Sequence, residues 1–347
     1  MQLALELSKE HPTLPRAEVA AALRSLVVKF EEKFSLENFL VVECNDFDAR
    51  ILAERLAMTH SLMNVLGTCG AGENKILKML SGTDLPIRKN ETFCIRARQT
   101  RSAVGVDSNR IEKRRKIFKE PEKVLGYVIS EQGYRVNLKN PDVTFRLIIS
   151  DRCIFGVHLA DVETSQYEKR RPQHRPFFVP GVILPRVARV LVNLSEVRAG
   201  ETLLDPFCGT GGILIEAGLV GAVPLGCDIQ DRMVEGAKEN MKFYGLGANI
   251  FLCDAARLDL KDGSIDAVVA DPPYGRSAKV GAPSKEKLYE DSLHEILRVL
   301  KAGRRAVMLF PSDEFKIPNG FDVEEEHIFR VHRSLTRYIV VMRKAKL

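Results

Sequence analysis

No Cys-x-x-Cys pair occurs in the chain, although it has seven cysteines, at positions 44, 69, 94, 153, 208, 227 and 253. Zinc knuckles and disulfide frameworks are therefore disfavoured, and buried thiols in a reducing compartment are expected, with no metal. No apolar run approaches the roughly 18 residues needed to cross a bilayer, so no membrane partner is expected. The first residues lack the basic-then-apolar order of an export signal, and a cytoplasmic location follows as the expectation. There is no repeat at solenoid spacing and no low-complexity tail. Also missing are GxGxxG and GK[ST], which removes the nicotinamide-dinucleotide fingerprint and the phosphate loop.

What is present is the composition of a folded protein, 45% hydrophobic and 28% charged, long enough at 347 residues for two or three domains. The net charge of +6 is unevenly distributed. Residues 86–190 carry 22 basic and 11 acidic groups, whereas residues 1–85 and 191–347 are slightly acidic. A surplus of this kind suits a polyanion. Its densest stretch, "RIEKRRKIFKEPEK", contains Arg110, Lys113, Arg114, Arg115 and Lys116. A solvated helix face would read the same way, and both readings stay open.

Apolar spacing predicts helices in "RAEVAAALRSLV" and across "DARILAERLAMTHSLMNVLG", and strands in "NFLVVEC", "ETFCIRARQ" and "VTFRLIISDRCIFGVHLAD". Residues 162–181, "VETSQYEKRRPQHRPFFVPG", read as a linker or docking segment rich in Arg, Pro and Gln. A helix, "VILPRVARVLVNLSEV", comes next. Strand patterns follow at "ETLLDPF", "AVPLGCD", "ANIFLCD", "IDAVVAD", "RRAVMLF", "EEEHIFRVH" and "TRYIVVMR", the earlier ones separated by helical stretches. This is the rhythm of an open, doubly wound α/β sheet. The last two strand candidates are too closely connected for a crossover helix and should pair antiparallel at the edge.

"LLDPFCGTGGILIEAG" ends a strand at Asp205 and turns through Gly209, Gly211 and Gly212 into a helix. Glycines there permit a tight turn and a close approach of backbone to ligand. The acid ahead of them would repel a pyrophosphate and suits a cation. Asp228 ends the next strand, where an acid can accept both hydroxyls of a ribose, and Asp254 ends the third, placed for an adenine amine. Ligands of open α/β sheets lie outside the carboxyl ends of the strands, so three acids in register point to a nucleoside whose other end is positive. S-adenosylmethionine meets both demands. The stretch "DPPYG", from Asp271, ends a fourth strand beside the same crevice, since proline cannot continue a central strand.

"DPPY" after an apolar strand, 66 residues beyond "DPFCGTG", resembles the amino methyltransferases, over roughly residues 175–345. The resemblance implies a Rossmann-like methyltransferase domain at 182–347. Its cofactor would lie against Asp205, Phe207, Gly209, Thr210, Gly211, Asp228, Asp254, Ala255 and Asp271. In that picture Asp271 and the Pro272 carbonyl accept the N–H groups of a target amine, and Tyr274 stacks on the base. "GYRVNLKNPDVTFRLIISDRCIFGVHL" resembles the THUMP module of RNA-modifying enzymes, here 51–161, preceded by a ferredoxin-like part at 1–50. That module implies a grip on the tRNA acceptor end by shape and phosphate contact.

The whole arrangement resembles the archaeal enzymes that methylate N2 of guanine 10 in tRNA, once or twice, related to the catalytic subunit of the eukaryotic enzyme for that position. The D-arm guanine would then enter the active site. "YEKRRPQHRPFFVPG" resembles the entry to their catalytic core, with Arg175 either near the incoming RNA or inside a clamped linker. The resemblance also allows a small activating protein. Alternatives are N2-methylation of guanine 6 or of a ribosomal guanine, and, from another class, a non-catalytic tRNA-binding protein that retains a cofactor fold.

Overall fold

The computed structural model describes residues 1–99, 117–273, 285–312, 315–332 and 335–346. In chain order the first part supplies β1 (Gln2–Leu7), α1 (Leu14–Ser25), β2 (Phe30–Leu36), β3 (Phe39–Cys44), α2 (Ala49–Arg55), β4 (Thr59–Gly70), α3 (Glu73–Ser81), β5 (Thr92–Gln99), α4 (Pro121–Ser130), β6 (Arg135–Val136), β7 (Val143–Ile149) and β8 (Arg152–Asp161). The second part supplies α5 (Ser165–Lys169), α6 (Pro185–Leu194), β9 (Thr202–Asp205), α7 (Gly212–Leu219), β10 (Val223–Asp228), α8 (Asp231–Phe243), β11 (Asn249–Leu252), β12 (Ala267–Ala270), α9 (Lys285–Val299), β13 (Arg305–Phe310), β14 (Phe321–His332) and β15 (Leu335–Lys344). These elements form two compact units, and the division cuts across the sequence. Unit 1 holds Met1–Lys9, Val28–Glu54 and Thr59–Val162; unit 2 holds Glu10–Val27, Arg55–Met58 and Glu163–Leu347.

Unit 1 is built on an eight-stranded sheet in the order β2-β3-β1-β4-β8-β7-β5-β6, mostly antiparallel. Phe93, Phe145, Leu147 and Phe155 on its strands pack with Ile76 and Leu80 of α3 and Leu125 and Ile129 of α4. The helix expected across "DARILAERLAMTHSLMNVLG" stops at Arg55, and residues 59–70 form β4, paired with β1 on one side and β8 on the other. Apolar residues at 62, 63, 65 and 66 satisfy a helical period as well as a strand's, and partners on both edges decide in favour of the strand.

Unit 2 has a seven-stranded sheet in the order β11-β10-β9-β12-β13-β15-β14. The first five strands are parallel; β15 inserts antiparallel between β13 and the edge strand β14, as the short final connection requires. Ala267, Val268, Val269 and Ala270 of β12 are fully buried, as expected for a parallel strand covered on both faces. Helix α1 belongs to this unit. Its fully buried Glu18 accepts from the backbone N–H of Ala57 and Met58 and from Asn193 Nδ2, each at 2.8 Å.

Five cysteines are free, as expected, but Cys227 and Cys253 are joined by a disulfide. They stand at the ends of the adjacent parallel strands β10 and β11, with Cα atoms 5.6 Å apart, a proximity the sheet creates and their spacing of 26 residues does not advertise.

Candidate active site

Five parallel strands deliver their carboxyl ends to one rim of unit 2, and the acids stand there. β9 ends in Asp205, β10 in Asp228, β11 is followed two residues on by Asp254, and β12 is followed directly by Asp271. Three of the four are fixed in the same way, each accepting the backbone N–H two residues ahead. Phe207 N–H donates to Asp205 Oδ1 at 3.0 Å, Gln230 N–H to Asp228 Oδ1 at 3.0 Å, and Ala256 N–H to Asp254 Oδ1 at 2.9 Å. The second oxygen of Asp228 receives Gly209 N–H at 3.0 Å and so ties the glycine turn to the neighbouring strand.

Gly209 and Gly211 have φ of +49° and +77°, the left-handed region where a side chain is strained. They bring the backbone over the strand ends and into α7, whose N-cap is Gly211. The segment before α6 is clamped onto this turn. Asn240 of α8 accepts Phe177 N–H at 2.9 Å and donates to the carbonyls of Phe177 and Thr210 at 2.9 Å. Glu216 of α7, fully buried, is held by Arg170 at 2.8 Å and Arg189 at 2.9 Å. Residues 163–181 therefore dock on unit 2. Arg175 is buried within it, its guanidinium donating to the Arg170 carbonyl at 3.2 Å.

A cavity of about 340 Å³ opens at the strand ends, lined among others by Asp205, Phe207, Gly209, Thr210, Asp271 and Pro272, with Gly181 and Ile183 from the stretch leading into α6. Asp228 reaches it through its bond to Gly209; exposed Asp254 and buried Ala255 stand further along the rim, outside the lining. Burial pushes the Asp205 carboxyl well above the ordinary range, and the charges of Asp271 and Asp228 add to the shift. Burial likewise raises Asp271 to about 6, against the pull of the Arg337 guanidinium, whose Nη1 donates to Oδ2 at 3.2 Å. The other oxygen, Oδ1, is buried without a hydrogen-bond partner among the described residues. Beside the loop, Tyr289 of α9 donates its hydroxyl to the Pro273 carbonyl at 3.0 Å. The acids whose charges raise Asp205, the unpartnered oxygen of Asp271 and the close backbone all fit a cationic nucleoside such as S-adenosylmethionine.

Tyr274 lies outside the described residues, as do Arg110, Lys113, Arg114, Arg115 and Lys116. Sequence reasoning did not find Asn240, Tyr289 or Arg337 as site residues. "TRYIVVMR", which contains Arg337, drew notice only as a strand pattern. Among the described residues no group of three His, Cys, Asp or Glu is placed to hold a metal ion, and no helix is long and apolar enough to cross a membrane.

The parallel sheet, its antiparallel insertion and the cavity at its carboxyl rim define an α/β methyltransferase, and an RMKL-like methyltransferase domain family (UPF0020) matches residues 172–339. The chain is 37% identical to the tRNA (guanine(10)-N2)-dimethyltransferase of Methanothermobacter thermautotrophicus, over 99% of this chain and 100% of that one. It is 33% identical to the enzyme of the same name from Pyrococcus abyssi, over 95% and 96%. The chain belongs to the tRNA (guanine(10)-N2)-dimethyltransferase family. A tRNA (guanine(6)-N2)-methyltransferase of Methanocaldococcus jannaschii is 27% identical over 69% of this chain and 73% of that one. Among solved structures, TrmN from Thermus thermophilus shares the fold, with a TM-score of 0.53, 21% identity and coverage of 99% and 100%.

Proposed function

We propose that this protein transfers one or two methyl groups from S-adenosylmethionine to the exocyclic N2 of guanine 10 in tRNA. The observation that carries the reading is the full-length identity of 37% with an enzyme named for that reaction, met by an acid at the end of β12 with one buried oxygen unpaired. Asp205, Phe207, Gly209, Thr210, Gly211, Asp228, Asp254 and Ala255 hold the cofactor in this proposal. The cofactor, when bound, supplies a methyl group activated by a sulfonium.

The amine of guanine is a poor nucleophile because its lone pair delocalises into the ring. Asp271 Oδ1 and the Pro272 carbonyl accept its N–H groups, which raises electron density on nitrogen and fixes the direction of that density. The Tyr289 bond to the Pro273 carbonyl steadies the loop. The target base leaves its stack to reach Asp271, at a cost of roughly a few kcal/mol. We assign the THUMP and ferredoxin-like roles to the chain's first 161 residues, which grip the acceptor end of the tRNA through phosphate contacts supplied by the surplus of positive charge at 86–190.

Purified protein, methyl-labelled cofactor and unmodified total tRNA, followed by nuclease digestion and mass analysis, test this. N2-methylguanosine or its dimethyl form at position 10 is the expected product. Label at guanine 6 would keep the class and overturn the position. Label that appears only when a small protein is added would identify an activating partner, and no label under either condition would overturn the reading in favour of a non-catalytic tRNA-binding protein.

A further inference from the structure

Asp271 lacks the fixing bond its three counterparts have. Asp205, Asp228 and Asp254 each accept the N–H two residues ahead, from Phe207, Gln230 and Ala256. Two residues beyond Asp271 stands Pro273, and between them Pro272, neither with an N–H to give. The two prolines thus leave the carboxylate without a local donor. Arg337 takes that place. It lies near the start of β15, which runs antiparallel to β13 and so begins at the rim where the parallel strands end. β15 is two strand spacings from β12, roughly 10 Å, a gap that suits the longest cationic side chain. Its side chain is 6% exposed and that of Asp271 15%.

We infer that Arg337 is the positioning residue for Asp271: its guanidinium fixes Oδ2, leaves Oδ1 open toward the target amine, and keeps the carboxylate ionised. This rests on the reading of Asp271 as the amine's acceptor. Among the described residues, the groups that act electrostatically with Asp271 come from three elements: Asp205 at the end of β9, Arg337 on β15 and Tyr289 on α9. Asp205 disfavours a second negative charge, Tyr289 is neutral at working pH, and Arg337 alone of the three favours the ionised form.

The test compares wild type, Arg337→Met and Arg337→Lys on unmodified tRNA between pH 6 and 9.5, with cofactor binding by calorimetry and thermal unfolding measured alongside. Arg337→Met should lower kcat at pH 7 about ten- to a hundredfold, with KM for tRNA nearly unchanged. The acidic limb of its profile should move up by roughly 1–3 pH units, so that the deficit narrows in alkali. Arg337→Lys keeps a charge but offers no planar fork, so its limb should stay near that of wild type while kcat falls partway. A loss equal at every pH that follows a lowered Tm, or an unchanged kcat, overturns the inference. If the methionine variant does not fold, the lysine variant decides, and full kcat there overturns the aiming role. Adding Pro273→Ala to Arg337→Met restores a donor two residues ahead and should recover part of the rate; no recovery at any pH counts against the inference. A wild type that leaves guanine 10 unmethylated would retire the functional reading itself, whereas an active wild type with an indifferent Arg337→Met retires only this inference.

Discussion

The two sheets treat buried charge differently. In unit 1, Glu6 of β1 sits between Arg146, at 2.9 Å, and Arg98; burial works to raise its pKa, and the two guanidiniums outweigh that and hold it below the carboxylate range. In unit 2, Asp205 and Asp271 are raised, and one oxygen of Asp271 has no partner among the described residues. A charge satisfied inside a sheet holds that sheet together; a charge left short at a strand end is available to a ligand. Unit 2 thus shows its chemistry in single residues, whereas the RNA contact proposed for unit 1 is written in a surplus of charge.

The comparison breaks most sharply if Asp271→Ala keeps turnover. Methyl transfer should fall by at least about a hundredfold, with tRNA affinity within a few-fold of wild type by filter binding. The opposite separation is expected from Gly156→Ala in β8, where a Cβ would meet the Asn64 carbonyl oxygen at 2.1 Å, a backbone contact that only a shift of β4 relieves. Unit 1 should lose about 3 kcal/mol, read by chemical unfolding, and tRNA binding should weaken, while calorimetric cofactor affinity persists.

A smaller effect separates activity from stability. With Asp271 at about 6, turnover should fall roughly tenfold between pH 7 and 5 as the carboxylate protonates. Its folded pKa lies above the ordinary 3.8, so between those values the folded state binds the extra proton and this group favours the fold more as pH falls. A pH–rate profile and unfolding curves from pH 4 to 7, compared with Asp271→Ala, should show the two opposite slopes. The mildest change is neutralisation of Arg114 and Arg115. tRNA affinity should drop severalfold at low salt and the salt dependence should flatten, and equal affinity at all salt concentrations would assign that run to plain solvation.

The strand ends of unit 2 were legible because a parallel sheet announces itself twice, by buried apolar runs and by the residues that stop them. "LLD", "GCD" and "VVAD" needed no partner to be read. The Asp271–Arg337 pair was not legible, since it spans 66 residues and depends on β15 entering between β13 and β14. The same holds for Cys227 and Cys253, brought together by adjacent strands, and for Arg175, whose burial follows from a clamp on Asn240 and Glu216 that no local pattern shows. The first residues of β4 read as the second half of a helix across "DARILAERLAMTHSLMNVLG" because their apolar pairs fit two periods.

The most direct test of the central claim uses two tRNA transcripts that differ only at position 10, one with guanine and one with hypoxanthine, which lacks the exocyclic amine. Mass analysis after reaction should find methyl groups on N2 of the guanine and none on the hypoxanthine transcript, with both bound equally well. Methylation of the hypoxanthine transcript, or label elsewhere on the guanine one, would contradict the account.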